Sequence, residues 1–133
     1  MRVVFDTNVL ISALLFDGGP EKIMLSTFNG LNELILSSYI ITETTRILED
    51  KFGVEPSSLE LLQNLLGEAE LVYFQPFLNV IEDEPDNRII ETAVKGKATF
   101  LVTGDKLLLK LKQYKGVTIV SVKEFLVIIE PSS

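Results

Sequence analysis

The sequence predicts an α/β domain with a central parallel sheet and helices on both faces. Short apolar strands alternate with helical stretches along the chain, the pattern of parallel α/β folds. Glycine, proline and capping residues punctuate the alternation at the right intervals. With 133 residues, 47% of them apolar and 23% charged, the chain has the size and core material of one domain spanning residues 1–133.

The elements follow in order. Arg2 to Phe5 reads as a strand and Thr7 to Leu15 as a helix. The turn Asp17-Gly18-Gly19-Pro20 ends that helix, and Pro20 suits the opening of the next, to about Asn29, with Gly30 as its stop. Glu33 to Leu36 is a second strand. Ser37 or Ser38 can cap a helix running to Phe52, terminated by Gly53. Pro56-Ser57-Ser58 starts a helix to about Glu68, and Glu70 to Phe74 is a third strand. A proline-broken loop, Pro76 to Pro85, precedes a helix from Asp86 to Lys95 with apolar residues at Ile89, Ile90, Ala93 and Val94. Thr99 to Val102 is a fourth strand, Thr103-Gly104-Asp105 a turn, and Lys106 to Tyr114 a helix. Val117 to Ser121 is a fifth strand and Val122 to Ile129 a last short helix. In such sheets the ligand crevice lies beyond the carboxyl ends of the strands.

Composition narrows the chemistry. The chain has no cysteine and no histidine, which excludes disulfides, thiol nucleophiles, Ser-His-Asp triads and nearly every zinc site. A metal bound here would be held by oxygen atoms, which favours Mg²⁺ or Mn²⁺. The N-terminus runs straight into Arg2-Val3-Val4-Phe5-Asp6 with no apolar leader. No apolar run approaches the ~18 residues of a membrane span. The expected location is the cytoplasm, with no membrane partner. Net charge is −7, yet seven of the twelve basic residues lie between 95 and 123 against a single acid, Asp105. That region could meet a phosphate backbone or be a solvated lysine-rich face.

Four carboxylates stand out. Asp6 directly follows the first strand and Asp105 follows the fourth after a two-residue turn, so both belong at the carboxyl edge of the sheet. Asp86 precedes Ile89 and Ile90 by three and four residues, on the face that its helix buries. Glu43 lies at the margin of an apolar face between Ile40 and Ile47. Taken singly, Asp6 and Asp105 could be helix N-caps, Asp86 a first-turn acid favoured by the helix dipole, and Glu43 a surface residue. Asp83 and Glu84 read as loop acids. Taken together the four repel: two unit charges ~4 Å apart cost about 4 kcal/mol at an effective dielectric of ~20. Protonation or a cation would relieve that, and without His or Cys a hard divalent cation is the simpler answer. Such a cluster suits metal-assisted phosphoryl displacement by water.

Four segments then carry a resemblance. They are Val3-Val4-Phe5-Asp6-Thr7-Asn8-Val9-Leu10, Ser38-Tyr39-Ile40-Ile41-Thr42-Glu43, Asp86-Asn87-Arg88-Ile89-Ile90-Glu91-Thr92-Ala93 and Leu101-Val102-Thr103-Gly104-Asp105-Lys106. In this order, and with Val117 to Val120 and Glu124-Phe125-Leu126, the chain resembles the PIN-domain family over nearly its whole length. The resemblance implies a three-layer α/β/α sandwich with a central parallel sheet. It implies a Mg²⁺- or Mn²⁺-dependent ribonuclease, frequently a homodimer and often the toxin of a toxin–antitoxin pair, with RNA and an antitoxin protein as partners. Asp6, Glu43, Asp86 and Asp105 would be its acidic metal site. Asn8 and Thr103 would orient those carboxylates, or make only local turn bonds. Lys106, Lys110 and Lys112 are the candidates for RNA binding. The acidic run Glu82-Asp83-Glu84 departs from the pattern; it could add a ligand or repel RNA.

Other readings fit less well. A haloacid-dehalogenase-like phosphatase wants an Asp two residues after the first, where this chain has Asn8. A receiver domain wants an Asp after its middle strand, where this chain has Tyr73-Phe74-Gln75-Pro76. A degenerate, non-cleaving binding module usually loses acids, and a housekeeping RNA-processing nuclease would keep them.

Overall fold

The structure, a computed structural model, describes residues 1–130. Six strands build the sheet: β1 (Arg2–Phe5), β2 (Glu33–Ser37), β3 (Glu70–Val72), β4 (Phe100–Val102), β5 (Gln113–Tyr114) and β6 (Val117–Val120). Seven helices are described with them: α1 (Thr7–Leu15), α2 (Gly19–Leu25), α3 (Ser38–Phe52), α4 (Glu60–Glu68), α5 (Glu84–Lys95), α6 (Lys106–Leu111) and α7 (Val122–Ile129). The strand order is β3-β2-β1-β4-β6-β5. β1 pairs in parallel with β2 on one side and β4 on the other, with Val3 opposite both Leu34 and Phe100.

Central β1 shows why the sheet needs helices on both sides. Val3, Val4 and Phe5 point alternately to opposite faces, and all three are fully buried. α7 covers part of one face, seating Phe125 edge-on against Phe5 and Phe100 at ring-centre distances of 6.3 and 5.7 Å. α5 packs against β1, β2 and β4 through Ile89, Ile90 and Ala93. Its end comes so close to β2 that a Cβ on Gly96 would stand 2.5 Å from Ile35 Cγ2.

The caps follow the sequence. Ser37 accepts from the Ile40 amide to start α3, and Gly53, at φ 62°, ends it in the left-handed conformation. Ser121 and Glu124 form a reciprocal capping box on α7.

Four expectations need correction. The helix read as Lys106 to Tyr114 stops at Leu111. Lys112 turns out at φ 63°, and residues 113–114 become β5, antiparallel to β6. Lys115 and Gly116, at φ 47° and 86°, make a two-residue hairpin turn with both centres left-handed. The sheet is therefore parallel except at this edge. The helix expected to reach Asn29 ends at Leu25, because Ser26 and Thr27 bond back to the carbonyls of Ile23 and Met24. Pro56–Ser58 forms only a 3₁₀ turn; extended Leu59, at φ −91° and ψ 101°, separates it from α4. Asp83 is no loose loop acid: its Oδ1 accepts from the Asp86 amide at 3.1 Å and caps α5, which begins at Glu84.

Candidate active site

From β1 the sheet order runs to β2 and β3 on one side and to β4, β6 and β5 on the other. The connections diverge between β1 and β4, which makes a crevice at their carboxyl ends. Asp6 and Asp105 stand at that point. The Asp6 amide continues the pairing, donating to the Val102 carbonyl at 3.0 Å.

Asp6 is buried, and both its oxygens are engaged. Oδ1 accepts from the Val9 amide at 2.9 Å, capping α1, while Oδ2 accepts the Thr103 hydroxyl. Fully buried Thr103 also accepts from the Asp105 amide at 2.9 Å. One hydroxyl thus fixes both strand-end acids. Asp105 caps α6, its Oδ1 accepting from Leu107 at 2.8 Å and Leu108 at 3.2 Å. Both residues are N-caps, and both also line the cleft described below.

Asp86 is different. It sits in the first turn of α5, 8% exposed, and its Oδ2 is buried with no hydrogen-bond partner. Burial pushes its carboxyl up to about 7, and the charges of Asp105, Asp83 and Asp6 add to the effect. Burial likewise raises Asp6, against the bonds from Thr103 and Val9. Glu43 lies in the second turn of α3 and is paired with Arg46 at 2.5 Å. Tyr39, one turn before Glu43, is half-buried, and its phenol is raised by burial and then by the Glu43 charge.

All four acids line one cleft of about 110 Å³, with Asn8 and Tyr39 beside them. They share the cleft without closing on a point: among the described residues, no three acidic side chains already stand as a metal-ligand set. The donor set still fits a hard cation. It is all oxygen, it is mutually repulsive, and it includes one buried oxygen with nothing to accept from. Size alone does not mark the site, since a roomier hollow of about 270 Å³ opens beside Met1 and Asn32, at the other edge of the sheet.

Thr103 bonds the Asp6 carboxylate and the Asp105 backbone amide. Asn8 is exposed and bonds to none of the four among the described residues. Lys106, Lys110 and Lys112 are exposed and do not line the cleft. Lys106 follows Asp105 directly; α6 carries Lys110 and Lys112 away at ~1.5 Å per residue. Topology also divides the basic stretch. Lys95 and Lys97 precede β4 and Lys115 lies in the β5–β6 turn, which places these three at the opposite edge of the sheet.

Sequence reasoning passed over Arg46 and Tyr39, although their spacing of three and four residues from Glu43 puts them on its helix face. It also passed over the buried polar residues of α5. Asn87 accepts from the Val80 and Ile81 amides at 2.8 and 3.0 Å. Glu91, fully buried, accepts from Phe77 and Leu78, both at 2.6 Å, and pairs with Arg88 at 2.6 Å. Together they bind the loop between β3 and α5 to the helix.

Comparison with known proteins agrees with this architecture. The PIN domain family pattern matches residues 2–107. A curated relative, the uncharacterised protein MJ1680 of Methanocaldococcus jannaschii, is 33% identical over 118 residues, covering 84% of this chain and 76% of the relative. The crystal structure of PAE2754 from Pyrobaculum aerophilum superposes with a TM-score of 0.60 at 18% identity, covering 99% of this chain and all of that one; the likeness is one of fold.

Proposed function

The chain belongs to the PIN-domain family, whose members are generally nucleases, and on that premise we propose that it is a Mg²⁺- or Mn²⁺-dependent endoribonuclease acting as the toxin of a toxin–antitoxin pair. The observation that carries the reading is the meeting of Asp6, Glu43, Asp86 and Asp105 in one cleft at the sheet's divergence point. Asp86, with its unpartnered buried oxygen, is the acid most in need of a cation. Asp6, Asp105 and Glu43 would complete the set.

A divalent ion, when bound, lowers the pKa of water and stabilises charge on the phosphoryl oxygens during in-line displacement. The chain's own residues do the positioning. Thr103 orients Asp6 and sets the Asp105 backbone, and the amides of Val9, Leu107 and Leu108 lock the two carboxylates from behind. Arg46 holds Glu43 at the cleft margin. No histidine base is required.

The test is Asp6→Asn. This variant is expected to fold, to keep or raise its melting temperature without metal, and to lose RNA cleavage in Mn²⁺. Unchanged cleavage would remove the four acids as the site. Expression of the unaltered chain in a growing host is expected to arrest growth and Asp6→Asn to relieve the arrest; active cleavage without arrest would point instead to housekeeping RNA processing.

A further inference from the structure

The acidic cleft does not end at its carboxylates. Two open hollows of about 280 and 370 Å³ adjoin it. Tyr39 lines both of them and the cleft, and Pro85 lines the cleft and the second hollow. The floor beyond Tyr39 is Phe74, Pro76 and Arg88. We propose that this groove is a subsite for an unpaired nucleobase of the RNA strand, next to the phosphate that is cut; the inference rests on the nuclease reading above.

Three observations support a base over any other part of the strand. The first is the surface offered. Tyr39, Phe74 and Pro76 line the groove with rings, and Phe74 meets Phe77 in a T-shaped contact at 6.0 Å and an interplanar angle of 90°. Every base has a π-face to lay against such rings. The second is charge. Glu82, Asp83 and Glu84 precede the groove's Pro85, and Glu84 lines the second hollow. This rim opposes a phosphate and leaves an uncharged base unopposed. Arg88 supplies one cationic edge: Nη2 donates to Glu91 and the Leu78 carbonyl and Nε is ion-paired with Glu91, while Nη1 has only a 3.4 Å contact with exposed Glu84.

The third observation is rigidity. Buried Glu91 and Asn87, which the cleavage chemistry does not use, fix the amides of Phe77, Leu78, Val80 and Ile81. The loop carrying Phe74 and Pro76 is thus held against α5 before any strand arrives, and a preorganised platform loses less entropy on binding. A base within a duplex has its faces covered by stacked neighbours, so the subsite also selects unpaired RNA.

The experiment uses the full chain carrying Asp6→Asn, so that the strand stays intact, and a single-stranded oligoribonucleotide with one fluorescent 2-aminopurine. Binding in Mg²⁺ is expected to change the fluorescence at one position of the probe. Phe74→Leu and Tyr39→Leu, which keep apolar bulk without a ring, are expected to weaken binding roughly 5- to 100-fold, the range of one lost stacking contact, and to abolish the fluorescence change. Tyr39→Phe keeps both. Melting temperatures verify that each variant folds. Affinity and fluorescence indifferent to the rings, equal ring-dependent binding of duplex RNA, or no binding of the probe overturns the subsite. Ring-dependent binding by a chain whose unaltered form cuts no RNA overturns the nuclease reading alone, and cleavage untouched by ring removal overturns the subsite alone.

Discussion

Asp86 concentrates the tension of the site in one carboxyl group. Its pKa, raised from 3.8 to about 7, means that the folded protein prefers it protonated. For a group shifted upward, the stabilisation is fully present below the unfolded pKa and is lost as pH rises through the folded value. Metal-free protein is therefore expected to gain stability as pH falls from about 8 toward 4. Asp86→Asn should flatten that part of the profile in thermal melts; an unaltered slope would relieve Asp86 of the effect. Divalent ions compete with the same proton. Mn²⁺ at 100 times its dissociation constant should add about 2.7 kcal/mol near pH 8 and far less at pH 5, where protonated carboxyls must first ionise.

At the scale of elements, polar residues inside α5 hold a loop while its apolar stripe packs on the sheet. Glu91 ties residues 77 and 78 to the helix. Glu91→Ala would leave two amides and the Arg88 guanidinium without their acceptor, at an expected cost of about 2 to 4 kcal/mol. Hydrogen exchange at Phe77 and Leu78 should accelerate well beyond that at β1; equal protection would mean that other contacts hold the loop. This role was not legible in the sequence, where Asn87 and Glu91 look like the solvent side of an amphipathic helix. What was legible had local causes: Ser37 and Gly53 as caps, Pro20 at a helix start, and Val-Val-Phe as a covered strand. β5 was hidden because Lys-Leu-Leu-Leu-Lys-Leu-Lys suits a helix as far as the chain allows. Only the Lys115-Gly116 turn and the β6 edge beyond it favour an extended Gln113-Tyr114. Asp6 and Asp105 were legible as residues of the cleft because strand ends are. The groove beside them was not, since Tyr39, Phe74 and Arg88 meet only through the packing of α5 against β2.

For the whole molecule, a charge of −7 and the proposed nucleic-acid substrate are reconciled by placement, and less generously than the lysine count suggests. Lys106 adjoins the cleft, whereas Lys95, Lys97 and Lys115 belong to the far edge. Lys106→Ala should reduce the salt dependence of RNA binding by about 0.7 in log–log slope, the value for one phosphate contact on a single strand. Lys110→Ala and Lys112→Ala should follow with decreasing effect, and Lys95→Ala should leave the slope where it was. Equal effects from both edges would mean that the strand wraps the sheet.

The bond from Thr103 to Asp6 spans 97 positions of the chain. Such distant contacts form late, since the loop between them must close first. During synthesis Asp6, Glu43 and Asp86 all leave the ribosome before the strand that carries Thr103 can dock beside β1. A chain interrupted anywhere before β4 has acids but no assembled cleft. On the proposed function, cutting power should therefore appear abruptly once β4 has left the ribosome, and products truncated before β4 should be harmless to the RNA around them.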